Sequence, residues 1–142
     1  MKLGELIAGL DVTLAAAGDA STRICDLTED SRTVVPGSLF VARAGLKADG
    51  RKFAADAVHS GAAAVLSDDP TLAIPGAAML VSRDVAATAA MIAERFYGAP
   101  SDKLDVIAVT GTNGKTTTTW LVWQLLNTVG RRCGLIGTVV ID

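Results

Sequence analysis

The sequence predicts an α/β fold in two parts. Two observations carry the first part: short apolar, β-branched runs alternate with segments of helical period up to residue 97, and the stretch Gly98-Ala-Pro-Ser-Asp102 then has the chemistry of a linker. A third carries the second part: the apolar run Val106–Thr110 leads straight into a glycine-containing loop and an amphipathic helix pattern. The expected organisation is a small N-terminal α/β (Rossmann-like) domain over residues 1–100 and a second α/β part opening at residue 101 and running to residue 142.

Leu3, Leu6, Ile7 and Leu10 recur at helical spacing and predict a short first helix. Ile24–Leu27 and Ser38–Ala42 read as strands, with Pro36-Gly37 as the turn before the second. Phe53, Ala57 and Val58 define a helix that Gly61 ends. Ala62–Ser67 is a buried strand, Pro70–Gly76 a loop, and Ala78–Val81 a further strand. Asp84 caps a helix running through Met91, Ile92 and Phe96. Beyond the linker, Val106–Thr110 is expected as a strand. Thr116 to about Val129 is expected as a helix with Trp120, Leu121, Trp123, Leu125 and Leu126 as its apolar positions, and Cys133–Ile141 as a closing strand. One βαβ cannot form a closed nucleotide-binding sheet, because such sheets bury both faces and need more layers. The chain is therefore expected to be the front piece of a longer protein.

Half of the 142 residues are hydrophobic, enough for a real core, and the formal net charge of −2 gives no basic footprint for nucleic acid. Cys25 and Cys133 fit no metal-ligand spacing and are expected as buried thiols in a reducing cytosol. Glu5 and Asp11 interrupt the apolar start, so no secretory signal is visible. The longest uncharged stretch, Thr116–Gly130, is too short to span a bilayer. A cytoplasmic protein without membrane insertion is expected.

The loop Gly111-Thr112-Asn113-Gly114-Lys115-Thr116-Thr117 carries the chemistry. Backbone N–H groups in such a loop and at the following helix N-terminus attract phosphate. Lys115 can reach the outer phosphates and the Thr116 hydroxyl can hold Mg²⁺. The general phosphate-loop pattern asks for a glycine where this chain has Val109, and its extra glycine, Gly111, lies three residues before Gly114. A simple turn explains Gly111, Asn113 and Gly114, but not a lysine and four threonines opening a helix. The second part is thus read as the first βαβ of a P-loop ATPase-like central domain.

Three polar stretches of the first part are open on spacing alone. Asp30-Ser31-Arg32 reads as a loop in which Asp30 or Ser31 caps local backbone and Arg32 is solvated. Ala44–Gly50 reads as a flexible connection with Lys47 and Asp49 in water. His59 reads as a surface or C-terminal capping residue.

Taken together and in order, Asp30–Ala42, Gly45 with Asp49-Gly50, Gly61–Leu66, Tyr97–Ser101 and Thr110–Thr118 resemble the Mur ligase family over the whole chain. The loop alone is shared with folylpolyglutamate synthase. The combination with Asp-Ser-Arg and Pro-Gly-Ser-Leu-Phe-Val-Ala is more specific, and Gly111-Thr-Asn-Gly114 favours the branch that adds a diamino acid over the one that adds D-alanyl-D-alanine. The resemblance implies three domains, of which this chain holds the first and the opening of the second. It implies ATP on Gly111–Thr117 with Lys115 as the catalytic residue and Thr116 as the Mg²⁺ ligand. It also implies that Glu29, Ser31 and the stretch Leu46-Lys47-Ala48 contact a UDP-sugar, with Ser31 the firmest of them.

The implied reaction is ATP-dependent amide formation. It joins a diamino acid, meso-diaminopimelate or another, to UDP-N-acetylmuramoyl-L-alanyl-D-glutamate in peptidoglycan precursor synthesis. Phosphoryl transfer turns the acceptor carboxylate into an acyl phosphate, which the incoming amine attacks, giving amide, ADP and phosphate; the protein positions groups and neutralises charge. Alternatives are the D-alanyl-D-alanine-adding ligase, a P-loop kinase or GTPase, and a non-catalytic nucleotide-binding fragment. By itself this polypeptide is expected to lack ligase activity, since the rest of the site would lie beyond Asp142.

Overall fold

The computed structural model describes residues 1–15, 18–45 and 49–137. The chain divides into two compact units, Met1–Lys103 and Leu104–Asp142.

The first unit is a mixed α/β sandwich around a five-stranded sheet. Its strands are β1 (Thr13–Leu14), β2 (Asp26–Thr28), β3 (Ser38–Ala42), β4 (Ala64–Ser67) and β5 (Ala78–Val81), in spatial order β1-β5-β4-β3-β2. Strands β2 to β5 are mutually parallel, and β1 pairs antiparallel with β5 through Thr13↔Val81 and Leu14↔Leu80. The parallel strands therefore run in chain order without a reversal. This departs from the doubly wound arrangement that "Rossmann-like" implies, in which the order reverses at a switch point. The short strand β1 had no sequence signal beyond the single pair of residues it contains.

Alternation along the strands sorts the core into two layers. Leu39 and Val41 of β3, Ala64 and Leu66 of β4, and Ala78 and Leu80 of β5 face one side. There they meet Leu3 and Leu6 of α1 (Leu3–Ile7) and Val85 and Ile92 of α3 (Val85–Phe96). Phe40 and Ala42, Val65 and Met79 face the other side, against Ala54 and Ala57 of α2 (Ala54–His59). Every residue of β3 and β4 is buried, as expected for parallel strands covered on both faces. Each large side chain so buried contributes about 1.5–3 kcal/mol.

Local chemistry ends these elements where the sequence predicts. The Asp84 carboxylate accepts the Ala87 N–H at 2.9 Å and caps α3. Gly61 ends the α2 connection with φ +108, and a Cβ there would lie 3.0 Å from the Pro36 Cα. His59 is the exposed last residue of α2. Buried hydroxyls are paired: Ser82 and Thr88 share a 2.7 Å hydrogen bond, and the Ser38 hydroxyl donates to Asp26 at 3.2 Å while accepting the Val35 N–H. The expectation of buried thiols is corrected. Cys25 is exposed and Cys133 half-buried, both free. Ile24 takes the inward position in its segment, so alternation turns Cys25 outward, where its thiol donates to the Pro36 carbonyl at 3.1 Å.

Among its described residues the second unit contains one helix, α4 (Lys115–Thr128). None of its side chains is buried, and Trp120, Leu121 and Leu125 are exposed. Thr119 bonds back to the carbonyls of Lys115 and Thr116, both at 3.0 Å, which accommodates a threonine run inside a helix. Val106–Thr110 forms no strand, and in Cys133–Gly137 only Ile136 stands in a bridge; the remainder of the expected closing strand lies outside the described residues. A strand exists only through its ladder partners, and the described residues offer Val106–Thr110 none.

Candidate functional site

The carboxyl ends of parallel strands are where ligands bind in open α/β sheets. In the first unit, that edge gathers the residues after β2, β3 and β4.

After β2, Asp30 caps a 3-10 turn, Ser31–Thr33, accepting the Arg32 N–H at 3.0 Å. Its carboxylate also receives the Arg32 guanidinium as a fork, Nε at 2.9 Å and Nη2 at 2.6 Å. That hydrogen bonding, led by the Arg32 side chain, holds the Asp30 carboxyl down at about 2. Thr28 and Thr33 share a 2.7 Å hydroxyl contact and brace the turn from inside. Arg32 is thus paired rather than simply solvated. Ser31 opens the turn half-buried, and its hydroxyl has no hydrogen-bond partner among the described residues.

After β3 comes Arg43. Its Nε and Nη2 both donate to the same oxygen, Glu29 Oε2, at 3.2 and 2.9 Å. Ala44 and Asp49 then form an isolated antiparallel bridge. Leu46, Lys47 and Ala48, expected as UDP-sugar contacts, lie outside the described residues. Asp49 is not free in water: it caps the next 3-10 turn and takes the Arg51 fork at 2.8 and 2.9 Å, which lowers its carboxyl pKa. Arg51 reaches on to Asp68 after β4 at 3.5 Å. Gly50 packs so closely that a Cβ would come 2.7 Å from the Arg43 carbonyl, so this junction fixes the Arg43 backbone.

Glu29 and Arg43 stand at the mouth of a cleft of about 400 Å³ between the β2–β3 edge and α3. Alternation explains it. Leu27 and Glu29, and Leu39, Val41 and Arg43, fall on one face, apolar below and charged at the rim. The helix wall is built from Ala86, Ala89, Ala90 and Ala93, whose small side chains leave the space open. Sequence reasoning singled out Glu29 but missed Arg43 and the alanine stripe of α3. The signal was there in the period of two along β3 and the three- and four-residue spacing of the alanines.

In the second unit, Gly114 is the N-cap of α4 with φ +76, a left-handed conformation that glycine adopts without strain. Lys115 is the first helical residue, and its Nζ donates back to the Gly111 carbonyl. The ammonium group therefore lies over the loop rather than away from it. Thr116 and Thr117 follow in the first turn, while Thr112 and Asn113 lie in the exposed loop. The α4 N-terminus, an ammonium and two hydroxyls form a donor set suited to phosphate oxygens. Among the described residues, no group of three or more His, Cys, Asp or Glu side chains could hold a metal ion, and no helix is long and apolar enough to cross a membrane.

The fold is α/β, and comparison with known proteins gives the class. The family model "Mur ligase family, catalytic domain" matches residues 24–97, just over half of the chain. The chain belongs to the Mur ligase family. It is 45% identical over 141 residues to the UDP-N-acetylmuramoyl-L-alanyl-D-glutamate–2,6-diaminopimelate ligase of Chlorobium phaeobacteroides, with 97% of this chain and 28% of that protein covered. It is 42% identical over 139 residues to the same-named ligase of Syntrophomonas wolfei, with 98% and 28% covered. A solved structure of a ligase of that name matches with a TM-score of 0.77 at 27% identity, over all of this chain and 28% of the other. The MurF ligase from Thermotoga maritima in complex with ADP matches with a TM-score of 0.53 at 29% identity, over 75% of this chain and 24% of that one. The chain thus spans a little over a quarter of the length of the curated relatives it matches.

Proposed function

We propose that this chain is the N-terminal part of an ATP-dependent ligase that adds a diamino acid, meso-diaminopimelate, to UDP-N-acetylmuramoyl-L-alanyl-D-glutamate in the cytoplasm. Residues 1–100 form the UDP-sugar-binding part, and residues 101–142 open an ATP-binding, P-loop-type central domain. The observation that carries the reading is Lys115 at the head of α4, its ammonium folded over a loop whose Gly114 takes a left-handed turn. Identity to diaminopimelate ligases along nearly the whole chain supports the choice of acceptor and amino acid. The higher TM-score to that ligase, 0.77 against 0.65 for a MurF from Acinetobacter baumannii, favours it over D-alanyl-D-alanine addition.

In this reading the backbone N–H groups of Gly111–Thr117 hold the inner phosphates of ATP, and Lys115 stabilises charge on the outer ones. Thr116 would hold Mg²⁺. Its hydroxyl fits, having no protein partner among the described residues, whereas that of Thr119 is spent on helix carbonyls. The ion, when bound, neutralises phosphate charge. On the first unit, Ser31 offers a hydroxyl to the UDP-sugar and Glu29 an acceptor, and Leu46-Lys47-Ala48 are further contacts by resemblance to the family.

The test is ADP release by the complete ligase with both substrates. Turnover should require UDP-N-acetylmuramoyl-L-alanyl-D-glutamate and a diamino acid. Lys115→Ala should lose about 3–4 kcal/mol of transition-state stabilisation, the scale of one preorganised donor. Turnover of Lys115→Ala within tenfold of wild type would rule out the assigned role.

A further inference from the structure

The stretch Gly98–Asp102, whose composition is that of a linker, is folded back onto the end of α3. Gly98 stops the helix in the left-handed region, φ +76, with its N–H on the Arg95 carbonyl and the Ala99 N–H on the Glu94 carbonyl. That pair of bonds is a glycine-based helix stop. The chain does not relax after it. Ala99 stands at φ +53, the only non-glycine residue at positive φ among the described residues. A β-carbon opposes that conformation, and Pro100 steers the residue before it toward extended backbone. Local preference therefore works against this path, and some other contact holds the segment on it.

Glu94 supplies that contact. Its carboxylate oxygen Oε1 accepts the Ser101 N–H at 2.9 Å and the Ser101 hydroxyl as well. Pro100–Lys103 then forms a 3-10 turn, and the Asp102 N–H reaches the Ala99 carbonyl at 3.3 Å. Glu94 thus grips the segment twice, by its carbonyl at Ala99 and by its carboxylate at Ser101. The next residue, Arg95, ties the same turn of α3 to α1 through the carbonyls of Leu6 and Ala8. The last turn of α3 is fixed to the core on one side and to the departing chain on the other, just before the first unit ends at Lys103.

We propose that Glu94 and Ser101 form a clasp that sets the direction in which the chain leaves the first unit, and that both are positioning residues for ligation. This inference rests on the reading above, in which the first unit holds the UDP-sugar and the second holds ATP. A carboxylate carried by one unit meets a phosphate carried by the other only as the joining segment allows, and a misplacement of about 1 Å can cost about a hundredfold in rate. Glu94 and Ser101 belong to neither binding loop. Loss of the clasp should therefore change alignment and leave affinity alone.

The experiment has two arms. In the 142-residue chain, amide hydrogen exchange at Ser101 reads the clasp. Exchange should be at least about tenfold faster in Glu94→Ala, the value of a lost hydrogen bond to a charged group. It should be about two- to fivefold slower in Ala99→Gly, which takes a positive φ without a β-carbon. In the complete ligase, Ser101→Ala should lower kcat about tenfold with KM for ATP and for the UDP-sugar unchanged, and Ser101→Thr, which keeps the hydroxyl, should recover most of the loss. Equal Ser101 exchange in wild type and Glu94→Ala would overturn the clasp. A clasp that opens in Glu94→Ala while kcat of Glu94→Ala and Ser101→Ala stays at the wild-type value, or a raised KM in place of a lowered kcat, would overturn the positioning role and leave only a helix stop. A wild-type ligase with no turnover of the UDP-sugar substrate would overturn the functional reading and the positioning role with it, while exchange at Ser101 would still decide the clasp. Ser101 is exposed and Ala99→Gly relieves strain, so these variants keep the test open even where Glu94→Ala fails to fold.

Discussion

Arg95 joins the last turn of α3 to the end of α1: its Nη1 donates to the Leu6 carbonyl at 2.8 Å and to that of Ala8 at 2.7 Å. The last carbonyls of a helix have no partner within it, so a cation placed there satisfies them and opposes the negative end of the dipole. Residues 89 apart in sequence are held by this one side chain. Arg95→Ala should lower stability by about 1.5–3 kcal/mol, the range for hydrogen bonds to a charged group, and Arg95→Lys should recover part of it. Urea denaturation of the chain measures this; an unchanged midpoint for Arg95→Ala would show that water replaces the contact.

The core prediction sets a buried residue against an exposed one. Leu66 is fully buried at the middle of the sheet, while Met91 on α3 is about half exposed. Leu66→Ala should cost about 2–5 kcal/mol through lost transfer energy and a residual cavity. Met91→Ala should stay within about 0.5 kcal/mol. Similar losses for the two would contradict the layer assignment of α3.

Asp30 gives a pH dependence with a definite sign. Its carboxyl falls from the usual 3.8 to about 2 because the Arg32 side chain, and then the Arg32 backbone N–H, bond the charged form. A carboxyl depressed on folding contributes stability that is fully present above its unfolded value and is lost as pH falls through the folded one. The Asp-Ser-Arg turn should therefore hold at pH 4 and loosen toward about pH 2. Carboxyl-carbon NMR titration of Asp30 reads this directly. A midpoint at the ordinary value, unchanged by Arg32→Ala, would mean that the fork does not persist in solution.

The first unit was legible where periodicity and punctuation agreed. Ser38–Ala42 and Ala78–Val81 match the observed strands residue for residue, and Asp84 caps the helix it was expected to cap. What stayed hidden was what depends on distant partners. β1 is two residues long and exists only because Val81 and Leu80 stand opposite it. The strand order is a tertiary fact: the sequence pattern predicted an α/β domain, and the order β1-β5-β4-β3-β2 is visible only in the fold. Val106–Thr110 has a strand's composition but no ladder to join among the described residues. At the site, the period of two along β3 carried a signal for Arg43, but its pairing with Glu29 crosses from β2 to β3, fourteen residues apart, and went unread. The Gly111–Thr117 loop needed no long-range information, which is why its motif could be read directly.

The central claim is that two nucleotide sites occupy the two units, uridine on the first and adenine nucleotide on the second. Amide chemical-shift mapping of the 142-residue chain with UDP and with ADP plus Mg²⁺ tests it most directly. UDP should move the signals of Glu29 and Ser31 and leave Gly111–Thr117 in place. ADP should move Gly111–Thr117 and lose that effect in Lys115→Ala. One shared footprint for both nucleotides, or ADP shifts unaffected by Lys115→Ala, would contradict the account.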